Sequence, residues 1–297
     1  MRAPPALRPK SRVAVVAPAS GFPREELVRG LAVLADRYTV TMRSGAFSRE
    51  GYLAGSDARR AEELAWAMTA DGIEAIVCAR GGYGITRIVD RLPWDAFVTR
   101  PPWIVGFSDV TALHLEAQSR GIASVHAANV TGLSRTTPRE RLALVRILEH
   151  HEGPVLRDLE VVHDGPAATG VVVGGNLTLV ECQSAAGALV VPEGAVLVLE
   201  DVTERPYRLD RMLTSLGRAG HLGRVSAIVL GDLTDCTPGP DGVTAEAVLR
   251  ERTARLGVPV LAGAPFGHGF RNMPIPLGFT ATVRPLAGTC TFTPPTG

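Results

Sequence analysis

From Arg12 to about Gly153, short aliphatic runs alternate with longer segments whose apolar positions recur at helical spacing. "VAVVAP" (13–18) precedes "PREELVRGLAVLADRY", and "AIVCAR" (75–80) precedes "TRIVDRL". "WIVGF" (103–107) precedes "DVTALHLEAQSRG", and "ASVHA" (123–127) precedes "PRERLALVRILEHHEG". A buried strand followed by a helix, repeated, predicts parallel βαβ units with helices on both faces of the sheet. Functional loops gather at the carboxyl ends of such strands, where "APASG", "ARGGYG" and "GFSD" all fall. A polar, irregular stretch from about His151 to Thr169 reads as a link. Beyond it, "GGNLTLVECQSAAG" predicts a turn and a helix, "AVLVLED" a strand, "YRLDRMLTSLGRAGHL" an amphipathic helix and "SAIVLGD" another buried strand. The terminal "LGFTATVRPLAGTCTFT" looks like a hairpin, so the second half is a mixed α/β unit with more antiparallel strand.

Composition narrows the chemistry. With 30 acids against 31 bases in 297 residues, there is no basic field to hold nucleic acid or an anionic membrane surface, which leaves small-molecule or peptide chemistry. Lys10 is the only lysine, which excludes Schiff-base and Ser-Lys chemistry elsewhere, because arginine stays protonated. Cys78, Cys182, Cys236 and Cys290 lie far apart without C-x-x-C spacing and read as reduced core residues. Neither a signal-peptide pattern nor an eighteen-residue apolar run is present, so a cytoplasmic location is expected.

Ser108 stands at the corner between "WIVGF" and its helix. Either Ser108 or Asp109 could cap that helix. Alternatively, a serine on a tight strand-to-helix turn is a nucleophile beside a helix N-terminus able to stabilise an oxyanion, although Val110 departs from G-x-S-x-G. The "ARGGYG" loop offers a main-chain N–H as a second oxyanion donor; as a dinucleotide fingerprint it lacks the final glycine of G-x-G-x-x-G. Of seven histidines, His268 stands between glycines after an apolar strand and is the candidate base, whereas His114 reads as structural and His126 as either. Glu200, Asp201 and Glu204 follow a buried strand and supply an orienting carboxylate, or cap the next helix and pair with arginines.

These residues resemble the LD-carboxypeptidase family of serine peptidases, which includes the microcin C self-immunity peptidases. The similarity runs in the family's order through "VAPASG", "RRAEELAWAMTADGIEAIVCARGGYGITRIVDRL", "GFSDVTALH", "GGNLTLV", "LVLEDVTERPYRLDRML" and "GHGFRNMPIPLG". The resemblance implies an N-terminal Rossmann-like parallel-sheet domain over residues 1–155, carrying the nucleophile. It implies a C-terminal mixed α/β domain over 156–297, carrying the other two members of a Ser-Glu-His triad. Ser108 matches the nucleophile, His268 the base and Glu200 the acid, with Glu204 its competitor. Backbone N–H groups of Gly82 and Asp109 match the oxyanion hole. No metal and no cofactor are implied, and homodimerisation is. The implied substrate is a murein tetrapeptide that releases D-alanine, with a peptidyl-nucleotide amide as the alternative. Arginine suits the substrate carboxylate, and Arg80 beside the glycine loop is the first candidate, with a structural ion pair as the alternative. Where many members carry His-Gly-Pro, this chain has His126-Ala127-Ala128. Two readings from other classes remain: a non-catalytic two-domain small-molecule binder and a nucleotide-dependent Rossmann enzyme.

Overall fold

The computed structural model describes residues 1–296. The strands β1 (Arg12–Val16), β2 (Thr39–Met42), β3 (Ala75–Cys78), β4 (Trp103–Gly106) and β5 (Ser124–His126) alternate with helices. These are α1 (Arg24–Ala35), α2 (Asp57–Thr69), α3 (Trp94–Thr99), α4 (Thr111–Ser119), α5 (Val130–Leu133) and α6 (Pro138–His150). The second half contains β6 (Val155–Leu156), β7 (Glu160–His163), β8 (Ala168–Asn176), β9 (Ala195–Val202), β10 (Val225–Thr234) and β11 (Val260–Ala262). It closes with β12 (Ile275–Leu277), β13 (Thr280–Arg284) and β14 (Thr289–Thr293), and its helices are α7 (Leu177–Ala185), α8 (Pro206–Arg218) and α9 (Ala245–Thr253).

Two sheets result, in the orders β12-β5-β4-β3-β1-β2 and β6-β14-β13-β8-β9-β10-β11-β7. The first is parallel except for β12, and the second is parallel from β8 to β11 with antiparallel strands at both flanks. The expected parallel first half and more antiparallel second half are therefore present. One apolar cluster draws on both sheets, with Val105 and Val125 in the same core as Val172, Val198 and Phe266.

Local chemistry explains several element ends. Ser56 accepts from the Arg59 N–H to start α2, and Thr137 and Glu140 form a reciprocal capping box ahead of Pro138 at the start of α6. Helix α4 is buried along Thr111–Gln118 because it lies between the halves, packed against α7 and β8. It has no polar face to give it an amphipathic signature.

Four expectations need correction. The stretch 151–169 is not simply a link, for it contributes β6 and β7, the two outer strands of the larger sheet. Edge strands are half solvated, so their sequences stay polar and read as loop. "TRIVDRL" forms two short 3₁₀ turns, Ile85–Arg87 and Val89–Arg91, because Pro93 follows too closely for a full helix. Gly174 and Gly175 belong to the end of β8, not to a turn. Cys182 is exposed on α7, whose inward positions are Leu177, Val180 and Gln183; the other three cysteines are buried, and all four are free.

His114 ties α4 to the first sheet, its Nε2–H donating to the Gly106 carbonyl at 2.9 Å and its Nδ1 accepting from the Ser124 hydroxyl at 2.9 Å. Burial pushes its pKa down from 6.5 to about 4. The unfolded chain therefore takes up this proton more readily between those values. Its stabilising contribution is complete above pH 6.5 and lost as pH falls through 4, amounting to about 3 kcal/mol. Denaturant unfolding at pH 7 and pH 4.5 is expected to give a smaller acid loss for His114→Gln than for wild type. Equal losses would refute this role.

Candidate active site

The turn after β4 is strained. Ser108 has φ +65, a left-handed conformation that costs a residue with a side chain on the order of 1–3 kcal/mol. Phe107 before it is extended, with its N–H donating to Asn129 Oδ1 at 3.2 Å, and a 3₁₀ turn over Ser108–Val110 leads into α4. Neither that turn nor α4 receives a side-chain cap, so the capping alternative for Ser108 and Asp109 is not what the chain builds. Among the described residues the Ser108 hydroxyl makes no side-chain hydrogen bond. It lies against the glycine loop after β3: a Cβ on Gly81 would sit 2.8 Å from Ser108 Cβ and 3.0 Å from its Oγ, so only glycine fits there.

The loops after β1 and β3 are joined at this point. The Ser20 N–H donates to the Gly81 carbonyl at 3.2 Å, and Ser20 Oγ accepts from the Tyr83 N–H at 3.1 Å. Gly82, at φ +104, thereby lies against Ser20, one residue beyond the Gly81 that packs on Ser108. Asp109 turns its carboxylate away from α4, and Oδ2 accepts from the Ile85 N–H at 2.8 Å.

The second sheet supplies an acid and an imidazole. His268 Nδ1 lies 2.7 Å from Glu200 Oε2, with Glu200 fully buried near the end of β9 and His268 about one-fifth exposed on the loop after β11. Gly267 lets that loop approach, since a Cβ there would lie 2.9 Å from Glu200 Oε2. Burial raises the pKa of Glu200 and His268 opposes the rise, so an N–H donor is what keeps a carboxylate tolerable in this place. With Nδ1–H donating to Glu200, Nε2 is left as the basic nitrogen. The ring packs on Phe107, centroids 4.7 Å apart, which brings the imidazole alongside the residue preceding Ser108.

The three acids of "EDVTE" separate cleanly. Glu200 meets His268; Asp201 accepts from Asn176 Nδ2 at 3.0 Å and from the Thr178 N–H at 2.9 Å; Glu204 pairs with Arg208 at 3.1 Å. His126 is buried between Phe107 and Phe266, neither ring nitrogen has a partner among the described residues, and burial holds its pKa well below 6.5. A neutral packing imidazole results.

A cavity of about 540 Å³ opens in front of His268, walled by Phe107, Ala128, Arg135, Thr136, Phe270 and Asn272 among others. Arg80 is not in this wall, and its Nη1 donates to the Gly21 carbonyl at 2.7 Å. Arg135 was invisible to sequence reasoning, because "GLSRTTPRE" reads as an ordinary polar turn. Ala128, from the segment that departs from His-Gly-Pro, lines the same cavity. Among the described residues no cluster of His, Cys, Asp or Glu could hold a metal ion, and no helix is long and apolar enough to cross a membrane.

Residues 13–127 match the model of the LD-carboxypeptidase N-terminal domain, and residues 169–283 that of the C-terminal domain. The chain belongs to the LD-carboxypeptidase family. The chain is 38% identical to a putative carboxypeptidase of Synechocystis over 96% of its length and 95% of the relative's. It is 34% identical to the murein tetrapeptide carboxypeptidase of Pseudomonas aeruginosa, covering 92% of this chain and 93% of that one. Its structure resembles the crystal structure of muramoyltetrapeptide carboxypeptidase from Oxalobacter formigenes, with TM-score 0.84, 25% identity and coverage of 96% and 100% of the two chains. The microcin C7 self-immunity protein MccF in its wild-type apo state shares the fold at TM-score 0.88 and 18% identity, with 99% of each chain covered. By family the chain is thus a serine carboxypeptidase.

Proposed function

We propose that Ser108 is the nucleophile and that the substrate is the LD-peptide bond of a murein tetrapeptide, with a C-terminal D-amino acid as leaving group. The observation that carries this reading is the 2.7 Å contact between His268 Nδ1 and the buried Glu200, with the same ring lying on Phe107 beside Ser108.

In this mechanism Ser108 Oγ attacks the amide carbon while His268 Nε2 takes its proton, and Glu200 stabilises the imidazolium. The oxyanion accepts from the N–H groups of Gly82 and Asp109. As the C–N bond breaks, the imidazolium returns the proton to the departing amine. Water, deprotonated by Nε2, then attacks the acyl ester, and Ser108 recovers its hydrogen as the peptide acid leaves. Arg135, which lines the cavity wall and also pairs with Glu26 at 3.3 Å, is better sited than Arg80, which lies outside that wall, for the terminal carboxylate of the substrate, which suits a bidentate guanidinium.

The names of the relatives favour murein peptides, and the likeness to MccF makes a peptidyl-nucleotide the substrate to compare. Incubation with a murein tetrapeptide is expected to release free D-alanine faster than any peptidyl-nucleotide amide is cleaved. Hydrolysis of the peptidyl-nucleotide alone would overturn the murein assignment.

A further inference from the structure

The peptide unit between Gly84 and Ile85 is gripped from both ends by buried charges. Its carbonyl accepts from Arg60 Nη1 at 2.8 Å, and its N–H donates to Asp109 Oδ2 at 2.8 Å. Arg60 is 0% exposed and Asp109 is 1% exposed. The cation therefore faces the negative end of the peptide dipole and the anion faces its positive end, the favourable sign at both contacts. Arg60 also donates to the carbonyls of Pro18 and Gly55 and pairs with Asp57, which itself holds Arg87 at 2.9 Å. One side chain thus ties the loops after β1 and β3 to the start of α2.

The gripped unit lies two residues beyond Gly82, and Asp109 directly follows Ser108. We propose that Asp109 and Arg60 act as a positioning pair that fixes the glycine loop to the nucleophile turn and so sets the spacing between the two oxyanion donors. This rests on the mechanism proposed for Ser108, and concerns the Asp109 side chain, not its main-chain N–H. A helix-capping role does not compete, since the carboxylate reaches across 24 residues to Ile85 and makes no cap bond to α4.

The arrangement is not one that stability alone would select. Among the described residues Asp109 Oδ1 has no hydrogen-bond partner, and burial pushes the carboxyl up to about 6. The charged and titratable groups near it are Arg60 from α2, Cys78 from β3 and Cys182 from α7. A folded-state pKa above the ordinary carboxylate value means that ionised Asp109 detracts from stability as pH rises through about 6. Neutralising it is therefore expected to leave the fold intact at pH 7.5, whereas the Ile85 N–H exchanges a charged acceptor for a weaker neutral one and the loop is held less firmly.

The test compares wild type, Asp109→Asn, Asp109→Ala, Arg60→Gln and the double variant D109N/R60Q. It follows D-alanine release from a murein tetrapeptide and thermal unfolding at pH 7.5. Displacing a catalytic donor slightly costs about tenfold to a hundredfold in rate. Asp109→Asn is expected to lower kcat by about that factor, with KM within about threefold and a Tm no lower than wild type. Asp109→Ala, which also loses the acceptor, is expected to fall further, and D109N/R60Q to be little worse than the weaker single variant. A folded Asp109→Asn protein with wild-type kcat overturns the proposal, as does a loss confined to KM or a double variant equal to the product of the singles. If Arg60→Gln does not fold, the two Asp109 variants decide alone. Ser108→Ala run alongside separates the two ideas: full turnover by it removes the mechanism itself, whereas its inactivity beside a fully active Asp109→Asn removes only the positioning pair.

Discussion

Ser108→Ala is expected to lower kcat for D-alanine release by on the order of 10⁴-fold or more, since removing one member of a triad leaves only the oxyanion hole and substrate binding. KM should change little, because alanine keeps the Cβ that packs against the Gly81 loop and the site keeps its shape. A companion change separates chemistry from folding. Ser108→Gly relieves the φ of +65 and is expected to stabilise the protein by about 1 kcal/mol while being equally inactive. Denaturant unfolding beside steady-state kinetics checks both. Higher stability with abolished activity is the signature of strain kept for function, and retained turnover in either variant would remove Ser108 from the reaction.

Glu200→Gln is expected to have the second largest effect, a fall in kcat of about 10²- to 10⁴-fold. In the proposed mechanism Glu200, held at 2.7 Å from Nδ1, stabilises by its charge the imidazolium that forms when Ser108 is deprotonated. A neutral amide keeps the volume and can keep the hydrogen bond, but it cannot balance that charge. Stability should move differently. Burial raises the folded-state pKa of Glu200, so its ionised form detracts from stability once pH rises through that value. The glutamine variant is therefore expected to unfold at no lower temperature than wild type at pH 8. Glu204→Gln, by contrast, removes only an ion pair with Arg208 and should stay within about 1 kcal/mol of wild-type stability. If Glu204→Gln were the inactive variant and Glu200→Gln the active one, the acid would be misassigned.

Much of this organisation was legible because local signals and tertiary structure agree. The aliphatic runs ending at Val16, Cys78 and Gly106 are strands with loops at one end of the sheet, as their pattern predicts. The glycine pairs around Gly81 and Gly267 mark places where backbone closely approaches the Ser108 and Glu200 side chains. The features that escaped depend on partners distant in sequence. β12 contains Pro276 and looks like loop, yet it pairs antiparallel with β5 at the edge of a parallel sheet, where a proline is tolerated. The bond from Asp109 to Ile85 follows from no spacing rule, because a polar residue at a helix start ordinarily signals a cap. Arg135 joins the cavity wall only when α5 is folded against the His268 loop.

The measurement that bears most directly on the nucleophile is covalent labelling of intact protein by a fluorophosphonate, with the modified residue located by mass spectrometry. Wild type is predicted to carry one adduct on Ser108, and His268→Ala, folded by circular dichroism, to carry almost none in the same time. An adduct elsewhere, or equal labelling of Ser108 without the imidazole, would contradict it.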